Sequence, residues 1–227
     1  MSRRWSLLAG VAAAALLAHG AEAQTTLRYI PQAKLSVFDT TINQSSISHQ
    51  HAYMIWDTLF GADKDQAPQP QMVESYTLSA DGLVYTMKLR PGLKFHDGSP
   101  VTAKDAVASI KRWAPKDTNG LIMMKQGMTV AAVDDRTFTL TLKEAWGSTI
   151  DSMAKMSAKA LYVYPEKDAS MDGGTPITSN IGSGPFKFVA NEFVPDSKVV
   201  YAKNTDYVPR SEPASWYSGG KVVKVDR

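Results

Sequence analysis

Alternating polar and apolar residues predict strands along much of the chain, and two turn-linked pairs of such runs are the clearest local signal. The first pair is 74–78 and 83–89, joined by a turn with an Asp-Gly step that favours a tight hairpin. The second pair is 130–133 and 137–142, which repeats the design around an acidic turn. Two loose copies fall short of a repeat array, so the pattern predicts two hairpins in one sheet.

Further alternating runs predict short strands nearer the two ends of the chain. They lie at residues 25–30, 161–164, 186–194, 198–203 and 221–225. The third and fourth runs flank a Pro-Asp-Ser turn, so we expect them to form another hairpin. Since a half-buried strand needs a hydrogen-bonded partner, the last run leads us to expect that the chain stops partway through a sheet.

Apolar residues at helical spacing predict three helices among these strands. Residues 45–60 carry one apolar face, and residues 148–158 form a shorter candidate. Between them, Thr102 followed three residues later by Asp105 resembles a capping box, which marks a helix start, and Pro115 ends that helix. Helices interspersed with paired strands indicate an α/β fold with mixed sheets.

The first 23 residues form a separate segment. Two arginines precede a short apolar run over residues 7–18, and the small-x-small pattern Ala-Glu-Ala follows at 21–23. The apolar run is shorter than the roughly 20 residues of a membrane-spanning helix. The pattern predicts a cleavable signal peptide over residues 1–23, a mature protein that begins at Gln24, and a periplasmic location. An uncleaved N-terminal anchor is the alternative, and no cysteine follows the cleavage site to carry a lipid anchor.

Composition narrows the class of protein. The 227 residues are 44% hydrophobic and 21% charged, which is ordinary for a folded soluble domain. The formal net charge is +3 and the basic residues are scattered, which argues against nucleic acid as a partner. The absence of cysteine from the sequence excludes a disulfide scaffold, a thiolate zinc site and a cysteine nucleophile.

Sequence signals for catalysis or for a cofactor are weak. No G-x-S-x-G nucleophile motif accompanies the adjacent His96 and Asp97. The Gly-Ser-Gly run at 182–184 lacks the third glycine of a dinucleotide fingerprint and the lysine of a phosphate loop, so a tight bend into a strand is favoured. His49 and His51 are two residues apart on a predicted helix and point away from each other. We therefore predict no enzyme activity, no catalytic residue, no cofactor and no metal site.

Four sequence blocks follow one another along the chain. They are residues 53–60 (YMIWDTLF), residues 73–93 with S-x-D-G-x-x-Y-T, residues 95–107 (FHDGSPVTAKDAV) and residues 181–186 (IGSGPF). In this order they resemble the extracellular solute-binding proteins of family 5, the dipeptide- and oligopeptide-binding group of ABC transporters.

The resemblance implies a bilobed architecture of the periplasmic-binding-protein type II class, of which this chain is the N-terminal portion. By that analogy, residues 24–48 begin domain I, residues 49–178 form domain II, and residues 179–227 return to domain I. Family members continue through a further lobe, which carries most residues that grip the termini of a peptide. The resemblance therefore identifies none of these peptide-gripping residues in this sequence.

The function implied by the resemblance is capture of a peptide or similar small solute by lobe closure. The bound solute is then delivered to an inner-membrane ABC permease and its ATPase, by a monomer without a membrane anchor. Two alternatives stay open: a truncated fragment unable to support transport, or a binder of nickel, haem, opine-like or sugar ligands.

Three segments and two tryptophans are candidate ligand-binding residues. Loops after strands of α/β proteins bind ligands, and a polar helix N-terminus can meet an anionic group. An aromatic side chain near a loop can line a cleft, and the family pattern places the third segment near the boundary between domains I and II. The candidates are Gln32, Ala33 and Lys34; Asn43 and Ser45; Met156 and Ser157; and Trp113 and Trp146. A solvated loop, a helix cap or core packing is the alternative for each.

Overall fold

The structure is a computed structural model that describes residues 24–156 and 159–227. The predicted signal peptide at 1–23 and the candidate Ser157 lie outside the described residues. The helices are α1 (Ser46–Ile55), α2 (Ala103–Trp113), α3 (Thr118–Lys125), α4 (Thr149–Met153) and α5 (Glu166–Ala169). The strands are β1 (Phe60–Ala62), β2 (Pro68–Pro70), β3 (Val73–Leu78), β4 (Val84–Leu89), β5 (Thr129–Ala132), β6 (Thr137–Thr141), β7 (Phe186–Phe188) and β8 (Tyr201–Lys203). None of the helices in this part of the chain has the length and apolarity needed to cross a bilayer.

Strands β3, β4, β6 and β5 form, in that order, an antiparallel four-stranded sheet. Tyr85 in β4 lies opposite Leu78 in β3 on one side and opposite Leu140 in β6 on the other. The two predicted hairpins therefore share one sheet, and that prediction is confirmed. Side chains of a strand point alternately to its two faces, and the alternate apolar residues of the central strands are buried. They are Tyr85, Met87, Leu89, Phe138 and Leu140.

Helix α2 packs against β5 and β6 and contributes its apolar residues to the core that contains them. Its start is the predicted capping box, because the Asp105 carboxylate accepts hydrogen bonds from the backbone N–H and the hydroxyl of Thr102 at 2.7 and 2.8 Å. Ile110 and Trp113 are buried on the inner face of the helix. Pro115 lies in the single 3-10 turn that follows, so both predicted limits of this helix are confirmed.

The two predicted strands at 25–30 and 221–225 are not formed. Residues near the two chain ends instead meet beside β8 through a few backbone hydrogen bonds. The N–H of Asp226 donates to the carbonyl of Thr25, and its own carbonyl accepts from the N–H of Lys203, each at 2.9 Å. The N–H of Leu27 also donates to the carbonyl of Arg227 at 2.8 Å. These few bonds do not continue into a ladder, so the alternation in these segments is not enough to form strands.

Four other predicted elements are shorter in the structure than in the sequence pattern. The helix predicted over residues 45–60 ends at Ile55. The strand at 161–164 is reduced to one bridge between Thr58 and Tyr162. The helix at 148–158 is the five-residue α4. The predicted C-terminal hairpin is present as β7 and β8, three residues each, because a 3-10 turn at Ala190–Glu192 interrupts its first arm.

The bend at residues 182–184 packs directly against the C-terminal end of α1. The N–H of Gly184 donates to the carbonyl of Ile55 at 2.8 Å. A Cβ atom at Gly182 would lie 1.9 Å from that same carbonyl oxygen, so only glycine allows the two backbones to approach this closely. The interpretation of this run as a bend into a strand is confirmed.

A buried ion pair joins the first segment of the chain to α2. The carboxylate of Asp39 lies 2.8 Å from the guanidinium of Arg112, and their side chains are 0% and 1% exposed. The second oxygen of Asp39 accepts from the N–H and hydroxyl of Thr41 at 2.8 and 2.6 Å, and the N–H of Ile177 donates to the first at 2.9 Å. The pair therefore ties the segment before α1 to the helix that covers the main sheet.

Candidate functional site

Four aromatic rings form a continuous row from the surface into the interior. The row runs from Trp216 to Tyr217, Tyr53 and Tyr162, with ring centroids separated by 6.3, 4.5 and 5.0 Å in that order. Trp216 is 62% exposed and Tyr162 is 1% exposed. Because aromatic rings at such separations attract one another, the row is a connected feature, which we call the aromatic row.

Helix α1 carries Tyr53, the third ring of the row. Ser45 is its N-cap and accepts a hydrogen bond from the N–H of Ser48, while Asn43 accepts from the N–H of Ser45 at 2.9 Å. One face of the helix is buried, including Ala52 and Ile55. Tyr53 belongs to another face, which is only half-buried, so the capped start of the helix fixes the direction in which this ring projects.

The loop that carries the outer two rings is fastened onto β1. The N–H of Tyr217 donates to the carbonyl of Ala62 at 3.0 Å, and the N–H of Lys64 donates to the hydroxyl of Ser215 at 3.1 Å. A Cβ atom at Gly61 would lie 2.2 Å from the carbonyl oxygen of Tyr217. The close approach of the two backbones therefore depends on glycine at that position.

A buried carboxylate anchors both ends of this loop. The Asp57 carboxylate accepts from the Tyr207 hydroxyl at 2.8 Å and lies 2.7 Å from the ammonium of Lys221. Burial opposes the charge of Asp57, but the ammonium and the hydrogen bonds outweigh it and hold the pKa of this group below its ordinary value. Asp57, which follows Trp56 at the end of α1, thus holds both ends of the loop that carries Trp216 and Tyr217. One end is held by a hydrogen bond and the other by an ion pair.

An open cavity of about 400 Å³ is lined by two residues, Met156 and Ala62, that contact residues of the aromatic row. The Tyr53 hydroxyl donates to the carbonyl of Met156 at 3.5 Å, and both Met156 and Ala62 line the cavity. The other lining residues come from the start of α3, the region of α4 and the β1–β2 hairpin, including Asn119, Asp151 and Gln66. The rings and the cavity together form the candidate site, a concave surface of the kind that binds small ligands.

Burial favours the uncharged forms of the titratable groups in and beside the row. It lowers the pKa of His49, which lies beside the row, and raises the pKa of Tyr53 and of Tyr162. The Nδ1 atom of His49 lies 3.5 Å from the Tyr162 hydroxyl, and its buried Nε2 atom has no hydrogen-bond partner among the described residues. The row therefore offers rings and hydroxyls, whereas the cavity lining includes the charged side chains of Asp151 and Lys155.

The nine candidate residues from the sequence do not come together in one place. Asn43 and Ser45 cap α1, and Met156 lines the cavity beside the row. Gln32, Ala33 and Lys34 are exposed on the first loop, where Lys34 pairs with Asp196 at 3.3 Å. The remaining described candidates are the two tryptophans.

Trp113 and Trp146 are positioned by packing. Trp113 is 2% exposed, and its Nε1 donates to the carbonyl of Lys159 at 2.8 Å. Trp146 is half-buried against the main core, and its carbonyl accepts from the Thr149 hydroxyl at 2.7 Å. Neither side chain belongs to the aromatic row in the described part of the chain.

Sequence reasoning missed the residues that define the row. One signal was available: Trp216 and Tyr217 are adjacent aromatic residues in a stretch otherwise made of Ser, Pro, Ala, Glu and Gly. Aromatic residues in a polar surface loop are a stronger functional hint than aromatic residues in a strand. The partner rings Tyr53 and Tyr162 lie more than 50 residues away in sequence, and nothing local links them to that loop.

No group of three or more His, Cys, Asp or Glu side chains suited to hold a metal ion occurs among residues 24–156 and 159–227. His49 and His51 have different neighbours. His51 is buried, with Nδ1 2.8 Å from the Tyr201 hydroxyl and Nε2 3.0 Å from the side-chain oxygen of Asn180.

The fold matches that of periplasmic binding proteins. NikA from Brucella suis, solved in complex with Fe(III)-EDTA, superimposes with a TM-score of 0.67. The match covers 83% of this chain and 38% of NikA at 22% sequence identity, a level that supports the fold alone. The predicted class, the N-terminal portion of a periplasmic-binding-protein architecture, is confirmed.

The sequence profile described as bacterial extracellular solute-binding proteins, family 5 Middle, matches residues 67–227. The chain belongs to this family, so the resemblance read from its four sequence blocks is confirmed.

Two curated relatives are solute-binding proteins. A probable peptide ABC transporter periplasmic-binding protein of Sinorhizobium fredii is 42% identical over 235 residues, which cover all of this chain and 44% of the relative. The glutathione-binding protein GsiB of Pectobacterium atrosepticum is 32% identical over 193 residues, which cover 84% of this chain and 37% of the relative. The chain therefore spans less than half the length of either relative.

Proposed function

We propose that this protein is a periplasmic solute-binding component of an ABC importer and that it captures peptides or peptide-like small solutes. The observation that carries the proposal is 42% identity, along the whole chain, to a probable peptide ABC transporter periplasmic-binding protein. The second relative is named for glutathione, which is itself a small peptide. The protein acts by binding and has no catalytic step.

In this proposal the chain contributes one lobe and part of the cleft. Residues 24–48 and 179–227 form domain I, and residues 49–178 form domain II. The bonds of Asp226 to Thr25 and Lys203 support the grouping of the two end segments, and the four-stranded sheet supports the unit between them. The aromatic row lies where these segments meet, since Tyr53 comes from the middle segment and its neighbour Tyr217 from the last.

Capture works through closure of the lobes around the ligand. A ligand shifts a protein toward a closed state only by its greater affinity for that state. Rings and hydroxyls that contact the ligand only in the closed state supply this difference in affinity. Closure removes the ligand surface and the protein surface that meets it from water. The closed, loaded protein then delivers the solute to an inner-membrane permease driven by its ATPase. Residues 1–23 direct export as a cleaved signal peptide, and the protein works as a monomer.

The candidate residues from the sequence keep proposed roles in this scheme. Met156 contacts Tyr53 and lines the cavity, which supports a place for it at the ligand surface. Asn43 and Ser45 stay proposed ligand contacts at the capped start of the helix that carries Tyr53. Gln32, Ala33 and Lys34 stay proposed ligand contacts on an exposed loop. Trp113 and Trp146 act through packing beneath the site, and Ser157 continues the segment that begins at Met156.

A thermal-shift screen on the full-length protein lacking residues 1–23 tests the proposed function. Because a ligand that binds only the folded state stabilises it by about 2.7 kcal/mol at 100 times its Kd, a matching ligand raises Tm by several degrees. We expect this rise with peptides from dipeptides to nonapeptides or with glutathione. The proposal fails if a sugar, an opine, a nickel complex or haem raises Tm and no peptide does.

A further inference from the structure

Trp216 combines two features that folded proteins rarely keep together. Its side chain is 62% exposed, although it is the largest apolar side chain available. Its backbone has a φ angle of +52°, in the left-handed region that non-glycine residues avoid. Neither feature helps folding, because exposure leaves the ring in water and the left-handed backbone costs free energy.

The surrounding loop holds Trp216 in this conformation. Ser215 and Ser218 on either side of it exchange two backbone hydrogen bonds, each 2.9 Å long. Gly219 has a φ angle of +80°, and a Cβ atom there would lie 2.1 Å from the carbonyl of Pro213. The loop thus holds the backbone of Trp216 in one conformation and presents its indole to solvent, which lowers the entropy that backbone ordering would cost on binding.

Charges close to the row are already paired. Lys64 lies 2.7 Å from Asp65, and Lys221 lies 2.7 Å from Asp57. At the cavity, Lys155 contacts Asp117, while Asp151 forms no ion pair among the described residues. The four rings of the row carry no charge themselves, so an uncharged flat ring matches the exposed face of the Trp216 indole best.

We propose that Trp216 stacks on an aromatic side chain of a bound peptide, so that the protein prefers peptides that carry an aromatic residue. The inference rests on the proposed function and adds the side-chain class of the ligand. The row supports it at both ends. Tyr217 braces Trp216 at 6.3 Å, and Tyr53 connects the braced pair to the cavity through the carbonyl of Met156. A ligand ring on Trp216 thereby extends a series of rings that meet at tilted or edge-to-face angles, and Met156, which Tyr53 contacts, lines the open cavity.

Trp216→Asn in the full-length protein lacking residues 1–23 is the test. Asparagine tolerates the left-handed backbone better than tryptophan does, so we expect Tm to stay the same or to rise. Calorimetric titration with the tripeptides Ala-Phe-Ala and Ala-Ala-Ala gives the preference as a ratio of affinities. We expect the ratio to favour Ala-Phe-Ala in the wild type and to fall roughly tenfold in the variant, the size of one lost aromatic contact.

Tyr76→Ala is the matched control, since Tyr76 is a 41% exposed aromatic residue on the edge strand β3 and lies outside the row. It should leave the ratio unchanged. Binding of Ala-Phe-Ala should also shift tryptophan fluorescence to shorter wavelength in the wild type, and much less in Trp216→Asn.

The inference is overturned if wild type and Trp216→Asn have the same ratio, or if the wild type binds both tripeptides equally well. In either of these two cases the protein still binds peptides, so the proposed function is not contradicted. Failure of both tripeptides to bind also overturns the inference, and the wider ligand screen then decides separately whether the proposed function fails.

Discussion

Asp39→Ala is expected to lower the free energy of unfolding by about 3–5 kcal/mol, because it leaves the buried guanidinium of Arg112 without its counter-charge. The two side chains are at most 1% exposed, so water does not reach the orphaned charge. The backbone N–H groups of Thr41 and Ile177 lose their acceptor as well. Urea unfolding of the protein lacking residues 1–23, followed by circular dichroism, measures the loss.

Two further variants show whether the buried charge is the cause. Glu74→Ala breaks two exposed pairs, with Lys88 at 3.4 Å and with Arg136 at 3.3 Å, and it should cost no more than about 1 kcal/mol because such exposed pairs are weak. Asp39→Ala combined with Arg112→Met should recover part of the loss, because it removes the unpaired charge. A cost for Asp39→Ala no larger than that of Glu74→Ala would contradict this account of how the first segment is held.

Acidification is expected to destabilise the protein through His51. Burial lowers the pKa of His51 from 6.5 to about 4, and the hydrogen bond that its Nε2 donates to the side-chain oxygen of Asn180 only partly opposes this. The folded protein therefore favours the neutral imidazole. The contribution of the neutral His51 side chain to the free energy of unfolding is complete above pH 6.5. This contribution is lost as the pH falls from 6.5 through 4. The loss reaches about 3 kcal/mol at the acidic end, since each pKa unit corresponds to about 1.4 kcal/mol.

His51→Gln isolates this contribution, because glutamine does not titrate and all other groups are common to both proteins. At pH 7.5 the variant should be less stable than the wild type, since it disturbs the contacts with Tyr201 and Phe38. Between pH 7.5 and 4 the difference in unfolding free energy should shrink by about 2–3 kcal/mol. A difference that stays constant across this range would show that His51 has an ordinary pKa.

Elements set by neighbouring residues were predictable from the sequence. The Asp-Gly turn and the alternation around it fix the first hairpin within some 16 residues, and the sheet contains it in full. The capping box at Thr102 and the proline at 115 likewise define α2 at both ends. In each case the physical cause acts over a few residues, so a single sequence is enough to find it.

Features that depend on distant partners were not predictable in the same way. Residues 25–30 and 221–225 alternate like strands, yet alternation forms a strand only where a neighbour completes the ladder. The candidate site shows the same limit more strongly. Tyr53, Tyr162 and Tyr217 meet because a buried ion pair and two glycine contacts close the chain on itself, and no local pattern encodes that meeting.

The capping residues Asn43 and Ser45 illustrate the boundary between the two cases. Their types and positions predicted a helix start, and the structure confirms the cap. Tyr53 lies two turns further along the same helix, about 12 Å from the cap, next to a ring supplied from position 217. The sequence therefore located the start of the helix that carries Tyr53 and missed the row itself.

Hydrogen–deuterium exchange of the full-length protein, with and without a peptide that raises its Tm, tests most directly that the aromatic row and its cavity face the ligand. The account predicts slower exchange on binding in three separate segments: residues 46–62, 153–156 and 213–218. Slower exchange elsewhere, with all three of these segments unchanged, would contradict it.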